Sequence, residues 1–289
     1  MAGETRRAVL AQPDWLAQVP STLELPADAR VVFTGCGTSF HAAQTGGWAV
    51  QALEAVVRPP LADIMVCVSH EGGTALTMEA EQAFGGDVWL VTGNPESELA
   101  QRVDEVIVCT PELERSWCHT ASYTCAVAAI DALGGEDIAW LPGAVEEALL
   151  ENVQPFTQDR VIVAGAGRDW PTAQEAALKL REGAWVDANA YETEQLLHGF
   201  LAAVDEHVRV FVLEGEGRAG ERAHDAVAQM ELLGCEVTLV PTSHPVVDIV
   251  GFHLLTLAVC AARGIDPDPI RRTPGSKWAE SAGEPYPYS

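Results

Sequence analysis

Residues 31–40, VVFTGCGTSF, and 161–170, VIVAGAGRDW, each run from an apolar, β-branched stretch through a glycine-rich turn into a segment able to open a helix. A nearly continuous apolar run of this length suits a parallel strand covered on both faces. A strand, a tight turn and a helix together make the first half of a βαβ unit. The second stretch repeats the first about 130 residues later, which points to two similarly built lobes. Neither is a dinucleotide fingerprint, because both lack the third glycine of GxGxxG.

Working outward, further apolar runs predict strands over Arg30–Thr34, Ile64–Val68, Asp87–Val91 and Glu105–Cys109, then over Arg160–Ala164, Val208–Leu213 and Glu236–Val240. Helices are expected over Ser39–Ala55, Ser122–Leu133, Thr172–Val186, Gly217–Leu233 and Val246–Ala262, with a helical connector at Ala144–Asn152. The expected fold is α/β, with two doubly wound parallel-sheet, flavodoxin-like lobes at 1–140 and 141–289, the second carrying a tail rich in Pro, Gly and charge.

The chain has 289 residues, 48% of them apolar, enough for a substantial core and too many for a disordered chain. Against 17 Lys and Arg stand 42 Asp and Glu, a net charge of −25 that repels nucleic acid and anionic membranes. The first residues hold no apolar signal core, so a soluble, cytoplasmic protein is expected. Seven cysteines lie scattered without a CxxC pair, several in apolar runs (Cys67, Cys109, Cys260), and read as reduced thiols. The eight histidines show no ligand spacing, so no metal and no cofactor is expected.

Ligands of such folds bind where loops converge at the carboxyl ends of the strands. Three first-lobe loops fit: Gly35 to Ser39 with the hydroxyls of Thr38 and Ser39, Ser69 to Thr74 with His70 and Glu71 between, and Cys118 to Ser122 with His119. Any one could be a plain turn with a helix cap. Three in one lobe favour an anion or polyol pocket, since backbone N–H groups at a helix start hold anions. In the second lobe the stretch 174–202 reads as a helix of unusual content. Glu175, Lys179 and Glu182 share a face at i, i+4 and i+7, and spacing alone describes a solvated salt-bridge ladder. His198 follows in an apolar turn, a setting typical of a structural histidine. The tail holds Arg272 and Lys277, cations able to fold back on the pocket.

GCGTSFHAA (35–43), VSHEGGT (68–74) and EAALKLREGAWVDANAYETEQLLHG (175–199) resemble the sugar isomerase (SIS) domain family, in particular the isomerase domain of glucosamine-6-phosphate synthase without a glutaminase domain. The resemblance runs in order from Gln12-Pro13 to about residue 272. It implies a homodimer binding a small sugar derivative, expected to be phosphorylated, in a site that borrows a histidine from the neighbouring subunit. By position, His198 matches the ring-opening residue, Glu182 the carboxylate that moves a proton between C1 and C2, and Lys179 a supporting lysine beside Glu175. A base beside an enediolate and a nearby cation are what such chemistry needs. Ser39, Ser69 and Thr74 keep the family's phosphate hydroxyls, whereas Glu71 stands where a serine is usual: either His70 or His119 compensates, or Glu71 points away, or the ligand carries something other than a plain phosphate, with Glu71 binding a hydroxyl or amine. Lys277 is the candidate for the lysine that reaches the site from the tail. The implied activity is a sugar-phosphate aldose–ketose isomerase or an amino-sugar-phosphate deaminase. The alternatives are a fructosamine-phosphate deglycase and a non-catalytic, sugar-phosphate-binding regulatory SIS protein.

Overall fold

The computed structural model describes residues 3–271 and 275–282. Arg272 lies outside the described residues. Five strands, β1 (Val31–Gly35), β2 (Ala49–Gln51), β3 (Ile64–Val68), β4 (Asp87–Thr92) and β5 (Glu105–Val108), form one sheet in the order β2-β1-β3-β4-β5. Four more, β6 (Arg160–Gly165), β7 (Asp187–Glu192), β8 (Val208–Leu213) and β9 (Glu236–Val240), form a second in the order β7-β6-β8-β9. Every pairing is parallel, with Val31 opposite Ile64 in the first sheet and Arg160 opposite Val208 in the second. The expected α/β class with two doubly wound parallel sheets is what the chain forms.

Helices α1 (Glu4–Leu16), α2 (Thr38–Thr45), α3 (Ala52–Val57), α4 (Ala75–Ala83), α5 (Ala121–Leu133) and α6 (Leu141–Ala148) accompany or follow the first sheet. Helices α7 (Trp170–Ala184), α8 (Thr193–Leu197), α9 (Arg218–Leu232), α10 (Pro245–Arg263) and α11 (Lys277–Ala282) accompany or follow the second. Successive strand residues point to opposite faces. Phe33 and Val66 therefore enter the central core, while Val32 and Met65 pack on the outer face with Ala55 of α3 and Ala80 of α4. Val163 and Phe211 enter that same central core from the second sheet, and Val210 and Val212 meet Ala223 and Met230 of α9 outside it. One continuous core thus joins both sheets through a middle layer containing Leu16 of α1, Val127 of α5, Val145 of α6, Leu180 of α7 and Phe252 of α10. Helix α10 is long and apolar enough to cross a membrane by length and composition, but over half of it is buried inside the fold.

The two glycine turns have the same construction. A Cβ on Gly35 would lie 2.9 Å from the backbone of Ser39, and one on Gly165 would lie 2.7 Å from that of Asp169. Each helix start is pulled back against its strand end, so only glycine fits there.

Two expected helices are shorter than predicted. Ser39–Ala55 is interrupted at Gly46-Gly47, where the chain turns into β2 before α3 begins. The stretch 174–202 is not one helix: α7 stops at Ala184, Trp185 takes a left-handed conformation (φ 57°), and DANAYE forms β7. The connector helix α6 falls three residues earlier than expected, with a proline in its first turn.

Candidate active site

Helix α7 carries Glu175 and Lys179 on its inner face, one turn apart, both with no exposed side-chain surface. The salt-bridge ladder that spacing alone suggests is therefore not on the surface. Lysine is almost never this buried unless its charge is matched. Here Nζ lies 3.2 Å from Glu175 Oε1 and donates to Glu182 Oε2 at 2.7 Å, Thr38 Oγ1 at 3.1 Å, and the carbonyls of Cys118 and His119 at 2.9 and 3.2 Å. Burial opposes the charge on Lys179, but Glu175 and Glu182 outweigh it and hold the ammonium well above its usual range.

Glu175 accepts from the Thr38 hydroxyl at 3.1 Å and from His41 Nδ1 at 2.7 Å. Burial would raise its pKa, yet Lys179 and His41 together hold it down at about 2. Both ends of this carboxylate are occupied, so it anchors Lys179 and the start of α2. Glu182 is different. It lies one turn further along, with 26% of its side chain exposed, and among the described residues it pairs with Lys179 alone. A carboxylate at the edge of solvent with a locked cation beside it can take a proton from a bound molecule, and the ammonium is placed to stabilise the negative charge that results.

The loops around this cluster divide in role. Thr38 joins it directly. Ser39 sits half-buried in the first turn of α2, its N–H held by Cys36. Ser69 is buried and its hydroxyl meets that of Thr74 at 3.3 Å, so these two share one small polar site beside α4. Glu71 is exposed at the tip of the loop. His70 accepts the N–H of Glu114 at its Nε2 (2.9 Å), and burial, then His119, push its pKa down to about 4 against the pull of Glu114. It is a neutral imidazole spent in part on the fold.

The third loop differs from expectation. The backbone N–H groups of Thr120 and Ser122, which would greet an external anion, donate to the buried Glu114 carboxylate at 2.7 and 2.8 Å, and both hydroxyls do the same. Burial would raise the pKa of Glu114, but His119 first, and then those donors, hold it below its ordinary value. What this loop offers outward is His119, half-buried, its ring 5.5 Å from that of His70.

His198 sits at the end of α8 with 77% of its side chain exposed, its ring near Glu194, and makes no hydrogen bond or ion pair with Glu175, Lys179 or Glu182. Lys277 opens α11 and is exposed. The tail does come back near α7: the Arg271 guanidinium lies over Trp185 at 4.2 Å and Trp278 at 4.7 Å, and Pro267 approaches Gly183.

Sequence reasoning passed over three participants. His41 lies one helical turn after Thr38, a spacing that could have revealed it. His253 lies in the apolar run of α10; it is 1% exposed, neither ring nitrogen has a hydrogen-bond partner among the described residues, and burial, then Lys179, push its pKa down to about 4. Glu114 stands in an irregular stretch with no motif around it. The matching edge of the second sheet has another character: Asp169 accepts from Thr242, Asp248 accepts from Ser243, and His244 faces Asp131. Carboxylates fill the place where the first sheet has hydroxyls. A cavity of about 610 Å³ lies between Gln44 and Gly47, Asp131 and Arg168, at the other ends of α2 and α5 from Lys179.

No family model matches the chain. Over 84% of its length it is 25% identical to glutamine–fructose-6-phosphate aminotransferase [isomerizing] of Zymomonas mobilis, and it covers 51% of that protein. The same enzyme of Gloeobacter violaceus is 26% identical over 84% of the chain, which covers 50% of it. The chain spans about half the length of these curated relatives. Among solved structures, the C-terminal domain of glucosamine-fructose-6-phosphate aminotransferase from Francisella tularensis superposes with a TM-score of 0.74 at 19% identity, covering 93% of this chain and 98% of that one. Glucosamine-6-phosphate deaminase from Thermotoga maritima gives 0.75 at 20% identity, covering 92% and 97%. Tagatose-6-phosphate ketose/aldose isomerase from Escherichia coli gives 0.73 at 16%, covering 93% and 95%. The chain has the two-sheet SIS fold and resembles the isomerase part of the aminotransferases.

Proposed function

With the SIS fold as premise, we propose that this chain is an enzyme acting on a phosphorylated sugar or amino sugar by ring opening and proton transfer between C1 and C2. The product is either the isomerised sugar or, where C2 carries an amine, an imine that water hydrolyses to the ketose and ammonia. The observation that carries this reading is the 2.7 Å contact between the partly exposed Glu182 carboxylate and a fully buried Lys179. Glu182 takes the proton from the carbon next to the carbonyl, the electron pair moves to form an enediolate, and the proton returns at the neighbouring carbon. Lys179 stabilises the enediolate oxygen; its other ties fix the ammonium before substrate arrives. Ser39, Ser69 and Thr74 hold the phosphate, with Glu71 exposed at the loop tip. Within one chain His198 stays outside the cluster, so any role for it requires a second copy, the homodimer that the resemblance implies. The proposed lobes are 1–140 and 141–289, in a cytoplasmic protein.

A regulatory binding module would need the hydroxyl loops but not an acid–base pair set at the solvent edge, and that pair favours the enzyme. The test is a thermal-shift panel of hexose and hexosamine phosphates beside their unphosphorylated forms, followed by turnover of whatever binds. Stabilisation by phosphorylated sugars with turnover supports the reading. Stabilisation without turnover leaves the sensor, and stabilisation by unphosphorylated compounds alone removes the phosphate.

A further inference from the structure

The hydrogen bonds of the third loop fix more than its backbone. The Glu114 carboxylate is fully buried and ionised, so it can only accept. The Ser122 hydroxyl, 2.7 Å from Glu114 Oε2, must therefore give its single proton to that oxygen. Its own oxygen is left to accept, and His119 Nδ1 lies 3.3 Å away. The chain of donors runs in one direction, from His119 Nδ1–H to Ser122 Oγ–H to Glu114. This fixes a proton on Nδ1, so that in the neutral ring the lone pair is on Nε2. Among the described residues Nε2 makes no hydrogen bond, and it is not sealed in the core. The same residue is pinned through its backbone, since its carbonyl accepts from Lys179 Nζ at 3.2 Å, and Lys179 is 2.7 Å from Glu182. The loop thus orients the imidazole through Ser122 while its backbone is tied to the lysine of the proposed proton-transfer pair. The titratable groups that face it are Glu114 and His70, with Lys179 on its backbone carbonyl.

We propose that His119 is the acid–base that opens the sugar ring, acting within the same chain and oriented through Ser122 by Glu114. The proposal rests on the enzyme reading above and assigns to His119 the step that the resemblance gives to His198. Nε2 removes the proton from the anomeric hydroxyl. The oxygen's electron pair forms the carbonyl as the bond from that carbon to the ring oxygen breaks, and the ring oxygen takes the bond's electrons and receives the proton back from the imidazolium. The step begins and ends with the same tautomer and consumes no co-reactant. His119 is a catalytic residue in this scheme, and Ser122 and Glu114 are positioning residues.

The experiment compares wild type with His119→Ala, His119→Gln and Ser122→Ala, using fructose 6-phosphate and glucosamine 6-phosphate as probes. Both turnover and binding are measured. For the His119 variants we expect kcat to fall by about 10²- to 10⁴-fold, the usual share of a general acid–base, with phosphosugar affinity within threefold of wild type. Added imidazole should restore part of the rate in His119→Ala, which also shows that the variant is folded. Ser122→Ala should lower kcat by about tenfold through misplacement of the ring, with KM unchanged. Wild-type kcat in the His119 variants overturns the proposal. So does a raised KM with unchanged kcat, because His119 would then be only an anion contact. A wild-type chain that binds these probes but turns over neither refutes the enzyme reading and His119 with it, and the two failures are distinguished by whether wild type itself is active.

Discussion

Lys179→Met would test the buried charge cluster most severely. Methionine keeps most of the volume and flexibility of the lysine stem, so the cavity term is small. The electrostatic loss is not. Glu175 would remain wholly buried with Thr38 and His41 but without the cation 3.2 Å away. Breaking a buried ion pair by removing one partner costs about 3–5 kcal/mol, which in a chain of this size lowers Tm by about 10 °C. The pH dependence gives the cause. In wild type, Glu175 is held at about 2, below its ordinary 4.5. Its contribution is present above pH 4.5 and disappears as pH falls towards 2. In the variant, burial is no longer outweighed, and the folded-state value moves above the unfolded one. The folded variant then binds a proton more tightly than the unfolded chain, so it regains stability as pH falls from 8 towards 5. Thermal denaturation of both proteins across that range should show the gap narrowing with acid. A gap that is absent, or constant with pH, refutes the charge-cluster argument.

Two further outcomes follow from neighbouring groups. The unfolded chain protonates His253 near pH 6.5 but the native state only near 4, so His253 should withdraw up to about 3 kcal/mol of stability between those values. His253→Gln should flatten the fall in urea midpoint between pH 7 and 4.5, and an unaltered slope would show that His253 is not held neutral. Glu114→Gln replaces an acceptor of four hydrogen bonds by a group that brings its own donors. It should cost about 3 kcal/mol and speed amide exchange at Thr120 and Ser122; unchanged exchange would mean that the loop does not depend on the carboxylate.

Much of this fold is legible because its central strands are sealed on both faces. VVFTG, IMVCV and VRVFVL carry their burial in composition. The strands that sequence reading misses are edge strands. β2 is three half-buried residues after a Gly-Gly break, and β7 is DANAYE, whose polar side chains report its partial exposure. With one neighbour instead of two, such strands need no apolar run. Trp185 in a left-handed turn conceals the end of α7, because a bulky residue there is uncommon.

At the site, Glu175, Lys179 and Glu182 are visible as a helical face, but their spacing describes a surface ladder as well as a buried cluster. What decides is the α2 start and the 118–122 loop packed against them, which is tertiary information. His119 is visible as a polar residue before a helix; its orientation depends on Glu114, which no local pattern marks. His70 shares the loop signal yet proves to be partly structural, for the same reason.

The central claim is proton transfer at C1 and C2 by Glu182. Its most direct test is to incubate the chain with fructose 6-phosphate, glucose 6-phosphate or glucosamine 6-phosphate in D₂O and follow deuterium entry at C1 and C2 by NMR. This readout is common to the isomerase and deaminase outcomes. The account predicts exchange with wild type on at least one of these sugars. It also predicts a loss of about 10²- to 10⁴-fold in Glu182→Gln, with phosphosugar binding retained. Exchange at an equal rate in Glu182→Gln, or none with wild type on a sugar phosphate that it binds, would contradict it.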